Sequence, residues 1–430
     1  MGNPWKGGFI CMYGYKTFTE ITDMGPFVTK LLLQVPEGMG PKELGADALK
    51  IYVERKSAKD GKIIFTKDLF NPQLPGEPSK GFQQAVNIYP GNSQGEPSAD
   101  GGWIIAELKP EPLGKRTEGT MLASEYVVSE YKVTLTCRDL HQKNATYIFD
   151  TDLGDICPQK KGWAVSRAVS GKIPLKYAYY TPEQISKKIP LVIWLHGAGE
   201  GGDDPKIPYT GNKAVNLSSE DIQNKLGGAS FILVPQCPTV WMDDGHEQLG
   251  RSGKSIYSEP LKACIDEFIN ARKDFIDPDR ILIGGCSNGG FMTVRMAIDY
   301  PGFFAAGFPA CEAFYEENIT QEVIDRLCTL PLWFIHDKDD EIVNPAETSL
   351  PLYHKLVQAG AENIHFTYYD RKNPVFDQYG PDFKFPPEQF KHAVWVNVYN
   401  DDCFTDIDGQ PAADSDGPLT LWQWLGKIHG

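Results

Sequence analysis

The sequence predicts an all-β segment over residues 1–165, followed by an α/β segment over residues 166–430 built on a mainly parallel sheet flanked by helices. Three patterns carry that prediction. The first part alternates apolar and polar residues with a period of two and contains no convincing long helix. The character changes near Gly162–Lys172. Beyond that point short, wholly apolar runs alternate with stretches of helical spacing, the pattern of strands buried on both faces between helices.

In the first part Leu49, Ile51 and Val53 alternate with Lys50, Tyr52 and Glu54. Asp60-Gly61 then offers a hairpin turn ahead of Ile63-Ile64-Phe65. Trp103 to Leu108 is another apolar strand. Tyr131, Val133, Leu135 and Cys137 alternate with Lys132, Thr134, Thr136 and Arg138, a strand with one wet face. Thr146 to Phe149, Phe27 to Val35 and Ala85 to Tyr89 bring the total to about seven, which fits an immunoglobulin-like sandwich.

In the second part Leu191 to Leu195 and Phe231 to Val234 read as buried strands. Leu261, Ile265, Phe268 and Ile269 have helical spacing. Asp277-Pro278-Asp279 reads as a turn before a strand over Arg280 to Gly285. A helix from Phe291 to Tyr300 is stopped by Pro301. Strands follow at Phe303 to Phe308 and Leu332 to Ile335. Ala346 to Ala359 is a helix ended by Gly360, Ile364 to Tyr369 a strand, and Thr420 to Lys427 a terminal helix. The polar stretch Asp401–Gly417 reads as loop.

The 430 residues are 41% hydrophobic and 23% charged, ordinary values for a folded chain, and suggest two domains or three. No run of about 18 apolar residues occurs, so no membrane-spanning helix is expected. The net charge of −15, with no basic stripe, makes nucleic acid and anionic lipid poor partners. Met1-Gly2-Asn3-Pro4-Trp5-Lys6 lacks the pattern of a signal peptide. As the sequence stands a cytoplasmic location is expected; removal of a signal peptide would make the protein a secreted one. Nine cysteines without a C-x-x-C pair indicate neither a zinc site nor a disulfide framework, although a Cys137–Cys157 bridge stays open. Sequons stand at Asn144, Asn216 and Asn318.

Gly285-Cys286-Ser287-Asn288-Gly289 matches G-x-S-x-G. Five such residues arise by chance in many proteins, but here an apolar strand leads in and a helical pattern follows at once. That strand–turn–helix setting is the nucleophile elbow of an α/β-hydrolase, with Ser287 as nucleophile. A phosphate loop would need a lysine where Gly289-Gly290-Phe291 has none. The oxyanion needs donors. One is the N–H of Asn288, just after the nucleophile. The other is expected from Ala198 or Gly197, in the glycine-rich loop His196-Gly197-Ala198-Gly199-Glu200-Gly201-Gly202 that follows an earlier strand. His196 itself reads as a brace for this loop.

In this fold the acid and then the base follow the serine. Of the histidines after Ser287, His392 is the candidate base: it lies late in the chain beside the apolar pattern Ala393-Val394-Trp395. His336 ends a strand, His354 lies in a helix, His365 packs in a strand, and His429 is next to the terminus. The acid is expected after the strand Leu332–Ile335. Asp337, Asp339, Asp340 and Glu341 compete there, and Asp340 best suits a loop turning back over the sheet. The others read as a solvated loop face. A cation site in this cluster is the minor alternative, since regular ligand spacing is missing. Trp241 is a candidate wall of the substrate pocket, with ordinary packing as the alternative. Trp395 reads as packing behind His392, and Glu312 either edges the pocket or is solvated. No metal or organic cofactor is expected.

Taken together these residues resemble a known group. Trp194-Leu195-His196-Gly197-Ala198-Gly199-Glu200, Val234-Pro235-Gln236-Cys237-Pro238 with Trp241, Gly285-Cys286-Ser287-Asn288-Gly289-Gly290, His336 to Val343 and His392-Ala393-Val394-Trp395 span roughly residues 170–400. They are similar to the predicted-peptidase and esterase group of α/β-hydrolases, related to polyhydroxybutyrate-depolymerase-like and feruloyl esterases and, more distantly, to prolyl oligopeptidases. The resemblance implies that Asp340 fills the acid position of an H-G-x-x-D-x-x-V pattern, with Asp337 standing where that pattern has glycine. It also implies a small-molecule ester as substrate, with a serine peptidase as the alternative. Some members carry an immunoglobulin-like domain ahead of the hydrolase. In this chain that domain is a candidate for self-association into a homo-oligomer, for glycan binding or for a lid.

Overall fold

A computed structural model of the chain describes residues 12–23, 25–35, 44, 48–66, 77–99, 101–112, 114–116, 124–138, 144–246, 251–370 and 391–429. The N-terminal Met1–Lys6, Cys11 and Phe390 lie outside them. The chain forms two compact units, one of residues 1–115 and 125–159, the other of residues 116–124 and 160–430.

The N-terminal unit is all β. Eleven strands lie between Met12 and Ile156 among the described residues, against about seven expected. Eight follow one hydrogen-bonded path: Lys80–Gln83, Leu49–Ser57, Ser124–Arg138, Asn144–Ile156, Met12–Thr22, Gly25–Gln34, Trp103–Pro112 and Ala85–Gly91. Four strands separate Leu49–Ser57 from Trp103–Pro112 on this path. Yet Ile51 and Val53 from one, and Ile104 and Ala106 from the other, belong to a single buried cluster with Leu31, Val133 and Phe149. Strands distant along the sheet thus contribute to one shared apolar core. Met12–Thr22 escaped the sequence reading because Lys16, Thr17 and Phe18 are all only half-buried, which blurs the period of two.

The second unit holds an eight-stranded sheet in the order Trp163–Arg167, Lys176–Tyr180, Phe231–Gln236, Ile189–Leu195, Ile276–Cys286, Ala306–Ala310, Leu332–Asp337, Ile364–Tyr369. The first two pairings are antiparallel and the rest parallel. Every residue of Ile189–Leu195, Phe231–Gln236, Ala306–Ala310 and Leu332–Asp337 is buried, which is why these strands read as unbroken apolar runs. The helix Ser258–Asn270 buries Leu261, Cys264, Ile265 and Phe268, one face at helical spacing. Helix Asn288–Asp299 is buried nearly all round. Thr420 caps Leu421–Lys427.

The expected turn at Asp277-Pro278-Asp279 is overturned. These residues lie within the strand Ile276–Cys286, opposite a register shift: Ile189 pairs with Ile276, but Leu191 already pairs with Ile281. The extra residues form a bulge, where a proline without an N–H costs no ladder bond. The edge strand Trp163–Arg167 and its neighbour Lys176–Tyr180 are not evident in the sequence; the first is mostly exposed and has no apolar run.

Cys137 and Cys157 are not joined by a disulfide. Two sequon asparagines spend the side-chain nitrogen a glycan would need: Asn216 Nδ2 donates to the Tyr399 carbonyl at 2.6 Å and Asn318 Nδ2 to the Arg251 carbonyl at 2.7 Å. No helix among the described residues is long and apolar enough to cross a membrane.

Candidate active site

The site is assembled at the C-terminal ends of the parallel strands, where an open α/β sheet places its ligands. Ser287 is the hinge between the strand Ile276–Cys286 and the helix Asn288–Asp299. Its backbone sits at φ 55°, ψ −116°, a conformation costly for a residue with a side chain. The surroundings enforce it. Ser287 N–H donates to the Ala310 carbonyl at 2.8 Å on the next strand, and its own carbonyl accepts from Phe291 N–H at 2.9 Å to begin the helix. A Cβ added to Gly289 would stand 2.0 Å from the Leu195 carbonyl oxygen, and one added to Gly285 would stand 2.6 Å from the same atom. Only glycine fits at either side of the serine.

The Ser287 hydroxyl meets the His392 imidazole directly. His392 Nε2 lies 2.9 Å from Ser287 Oγ, and His392 Nδ1 lies 2.7 Å from Asp340 Oδ2. His392 is buried except for a narrow edge, and Trp395 packs edge-on against its ring. Asp340 is also buried. Its Oδ1 accepts from the N–H groups of Ile342 at 2.9 Å and Val343 at 3.0 Å. Burial alone would raise its pKa. Hydrogen bonds from His336 and His392, and the charge each imidazole can carry, outweigh that and hold the carboxyl well below its usual range.

His336 is the functional neighbour that sequence reasoning passed over. It is fully buried at the end of the strand Leu332–Asp337, with Nε2 3.1 Å from Asp340 Oδ2 and 2.9 Å from the Val343 carbonyl, and Nδ1 bonded to Ser349 Oγ. The signal for it was its place as the histidine of the H-G-x-x-D-x-x-V pattern, four residues before Asp340. Glu312 is neither solvated nor at an open edge. It is fully buried near Ser349, accepts a hydrogen bond from Phe314 N–H, and burial pushes its pKa up to about 8.

The glycine-rich loop lies over the nucleophile: a Cβ on Gly197 would sit 3.9 Å from Ser287 Cβ. His196 braces it, Nδ1 against the Gly197 carbonyl at 2.7 Å and Nε2 accepting from Cys237 N–H at 2.9 Å. Burial pushes this imidazole down to about 4, so it is neutral near pH 7. Gly197 N–H donates to Glu200 Oε2 at 3.2 Å. That corrects the expectation for Gly197, whose donor is already engaged. Asn288 N–H opens its helix and has no intrahelical acceptor.

Trp241 also calls for correction. It is 0% exposed and packs against His196 and Tyr257, so its ring offers no surface to a ligand. Its role is internal: its backbone N–H donates to Asn288 Oδ1, tying the 241 turn to the elbow. Asp337 is buried rather than solvated. Lys391 reaches Asp339 at 3.2 Å and Asp337 at 3.7 Å, anchoring the residue before the base to the acid loop. Glu341 is exposed as expected. Among the described residues no cluster of His, Cys, Asp and Glu is placed to hold a metal.

Residues 241–322 match the prolyl oligopeptidase family. The match covers the elbow and stops short of Asp340 and His392. No curated protein matches the chain. Among solved structures, a thermostable esterase aligns over 90% of this chain and 96% of its own, with a TM-score of 0.69 and 21% identity. A ferulic acid esterase aligns over 54% of this chain and 98% of its own (TM-score 0.38, 13% identity), and Est1E from Butyrivibrio proteoclasticus over 48% and 88% (TM-score 0.34, 15% identity). The first of these likenesses gives the fold, an α/β-hydrolase, and with the family match it supports a serine hydrolase of that type.

Proposed function

We propose that the chain is a serine carboxylic-ester hydrolase acting through an acyl-enzyme intermediate on short acyl or aryl esters, with Ser287, His392 and Asp340 as its triad. The observation that carries this reading is the unbroken relay from Ser287 Oγ to His392 Nε2 at 2.9 Å and from His392 Nδ1 to Asp340 Oδ2 at 2.7 Å. His392 takes the hydroxyl proton at Nε2 as Oγ attacks the ester carbonyl. The tetrahedral oxyanion is met by the N–H groups of Asn288 and Ala198. Asp340 keeps the proton on Nδ1 and stabilises the imidazolium without being protonated itself. The Nε2 proton passes to the departing alkoxide, which leaves as the alcohol. Water, deprotonated by the same nitrogen, then releases the acid and restores Ser287.

The name of the solved structure with the same fold, a thermostable esterase, favours an ester. The family match favours a second reading, a serine peptidase, since the triad chemistry serves both bonds. A panel of p-nitrophenyl esters and peptide anilides separates them. Turnover of anilides without turnover of any ester would overturn the esterase reading. A wild-type enzyme that a fluorophosphonate fails to label would overturn both. We read the N-terminal unit as an immunoglobulin-like sandwich, on the ground that strands distant along its sheet share one core.

A further inference from the structure

We propose that His336 is a positioning residue of this site, a second imidazole that holds Asp340 Oδ2 from behind while His392 holds it from the front. The proposal rests on the triad reading above and goes one residue deeper. Both imidazoles address the same oxygen, His392 at 2.7 Å and His336 at 3.1 Å. The proton on His336 has only one place to be. Its Nε2 faces two acceptors, Asp340 Oδ2 and the Val343 carbonyl, so Nε2 carries the hydrogen and Nδ1 accepts from the Ser349 hydroxyl. Ser349 opens the helix Ser349–Gln358 and is itself buried, so the ring is clamped at both nitrogens.

Behind Ser349 lies the fully buried carboxyl of Glu312, which shares a hydrogen bond with the Ser349 side chain and whose pKa burial pushes up to about 8. His336 does not touch Ser287; its action on the reaction passes through Asp340. The groups that face Asp340 are His336, His392, the N–H groups of Ile342 and Val343, and the thiol of Cys311. Those that face His336 are Asp340, Ser349 and the Val343 carbonyl.

Two consequences follow from removing this donor. The carboxylate is freer to turn, and misplacement of a triad member on this scale costs about 10- to 100-fold in kcat. The anion also becomes more basic towards His392, which raises the imidazolium pKa and moves the acid limb of the kcat/KM profile to higher pH.

The test compares His336→Gln and His336→Asn in the full chain with p-nitrophenyl acetate, turnover being counted per serine titrated by a fluorophosphonate. Glutamine can place an N–H where Nε2 stands; asparagine reaches only as far as Nδ1. The glutamine variant is expected to stay within about fivefold of wild type. The asparagine variant is expected to lose about 10- to 100-fold in kcat, with KM within about twofold and the acid limb displaced upward. The proposal is overturned if asparagine stays within about threefold per titrated site, if its acid limb is unmoved, or if glutamine falls as far as asparagine. Should the asparagine variant yield no titratable serine, the glutamine variant decides: near-wild-type turnover supports the proposal, and a loss beyond about tenfold overturns it. Wild type that neither turns over nor is labelled would instead remove the triad reading itself.

Discussion

Ser287 and Asp340 reach the same imidazole by opposite means. Ser287 is placed by its immediate neighbours: a strand before it, a helix after it, and glycines at 285 and 289 where any side chain would strike the Leu195 carbonyl. Asp340 is placed by partners from elsewhere: a histidine 52 residues later, another at the end of the preceding strand, and a buried serine and glutamate behind that. One is a rigid local shape, the other a long-range hydrogen-bonded array. A local shape should fail by unfolding or by losing its one atom. An array should fail by degrees.

Removing the atom is the most severe break. Ser287→Ala is expected to lower kcat by about four to six orders of magnitude and to abolish fluorophosphonate labelling, with the thermal midpoint nearly unchanged. Asp340→Asn leaves the shape of the array but favours the wrong tautomer on His392. An ester assay should show a loss of about 10³–10⁴. Gly289→Ala tests the local shape. With a Cβ 2.0 Å from a backbone oxygen, urea titration should show destabilisation by more than about 3 kcal/mol. Gly199→Ala, with nothing within 4 Å of the new Cβ, should cost less than about 1 kcal/mol.

A further effect concerns the far end of the array and depends on pH. Glu312 titrates near pH 8 when folded and near pH 4.5 otherwise. Between those values the unfolded chain has released a proton that the folded chain still holds, so Glu312 lowers stability as pH rises through that window. Glutamine mimics the protonated form. Unfolding of wild type and Glu312→Gln should therefore agree near pH 5 and diverge by pH 8, the variant being more stable by at most about 4 kcal/mol. Equal stability at both values would mean that Glu312 is not held neutral.

The same contrast explains what could be read from the sequence. The elbow was legible because its cause lies within five residues, as do the glycines of the loop after Leu195. The buried parallel strands were legible because burial on both faces leaves an unbroken apolar run. The array was not. His336 has the same letter as a packing histidine such as His365, which stacks on Trp333 and bonds Asp406. Only the approach of Asp340 and Ser349 in three dimensions distinguishes the two. Trp241 misled for a related reason: an aromatic residue near a site can line a pocket or fill the core, and its packing on His196 and Tyr257 decides for the core. Gly197 looked like a donor until Glu200, three residues on, was seen to occupy it.

Cys286 stands directly before the nucleophile, and its position bears on how the protein can be handled at the bench. The thiol is wholly buried, and burial raises its pKa well above the ordinary range, so almost none of it is thiolate. Cys311, at the end of the adjoining strand, is in the same state. Alkylating and mercurial reagents act on thiolate and need access to it. They should spare both cysteines in the native protein and react instead at the more accessible Cys137, Cys157 and Cys328.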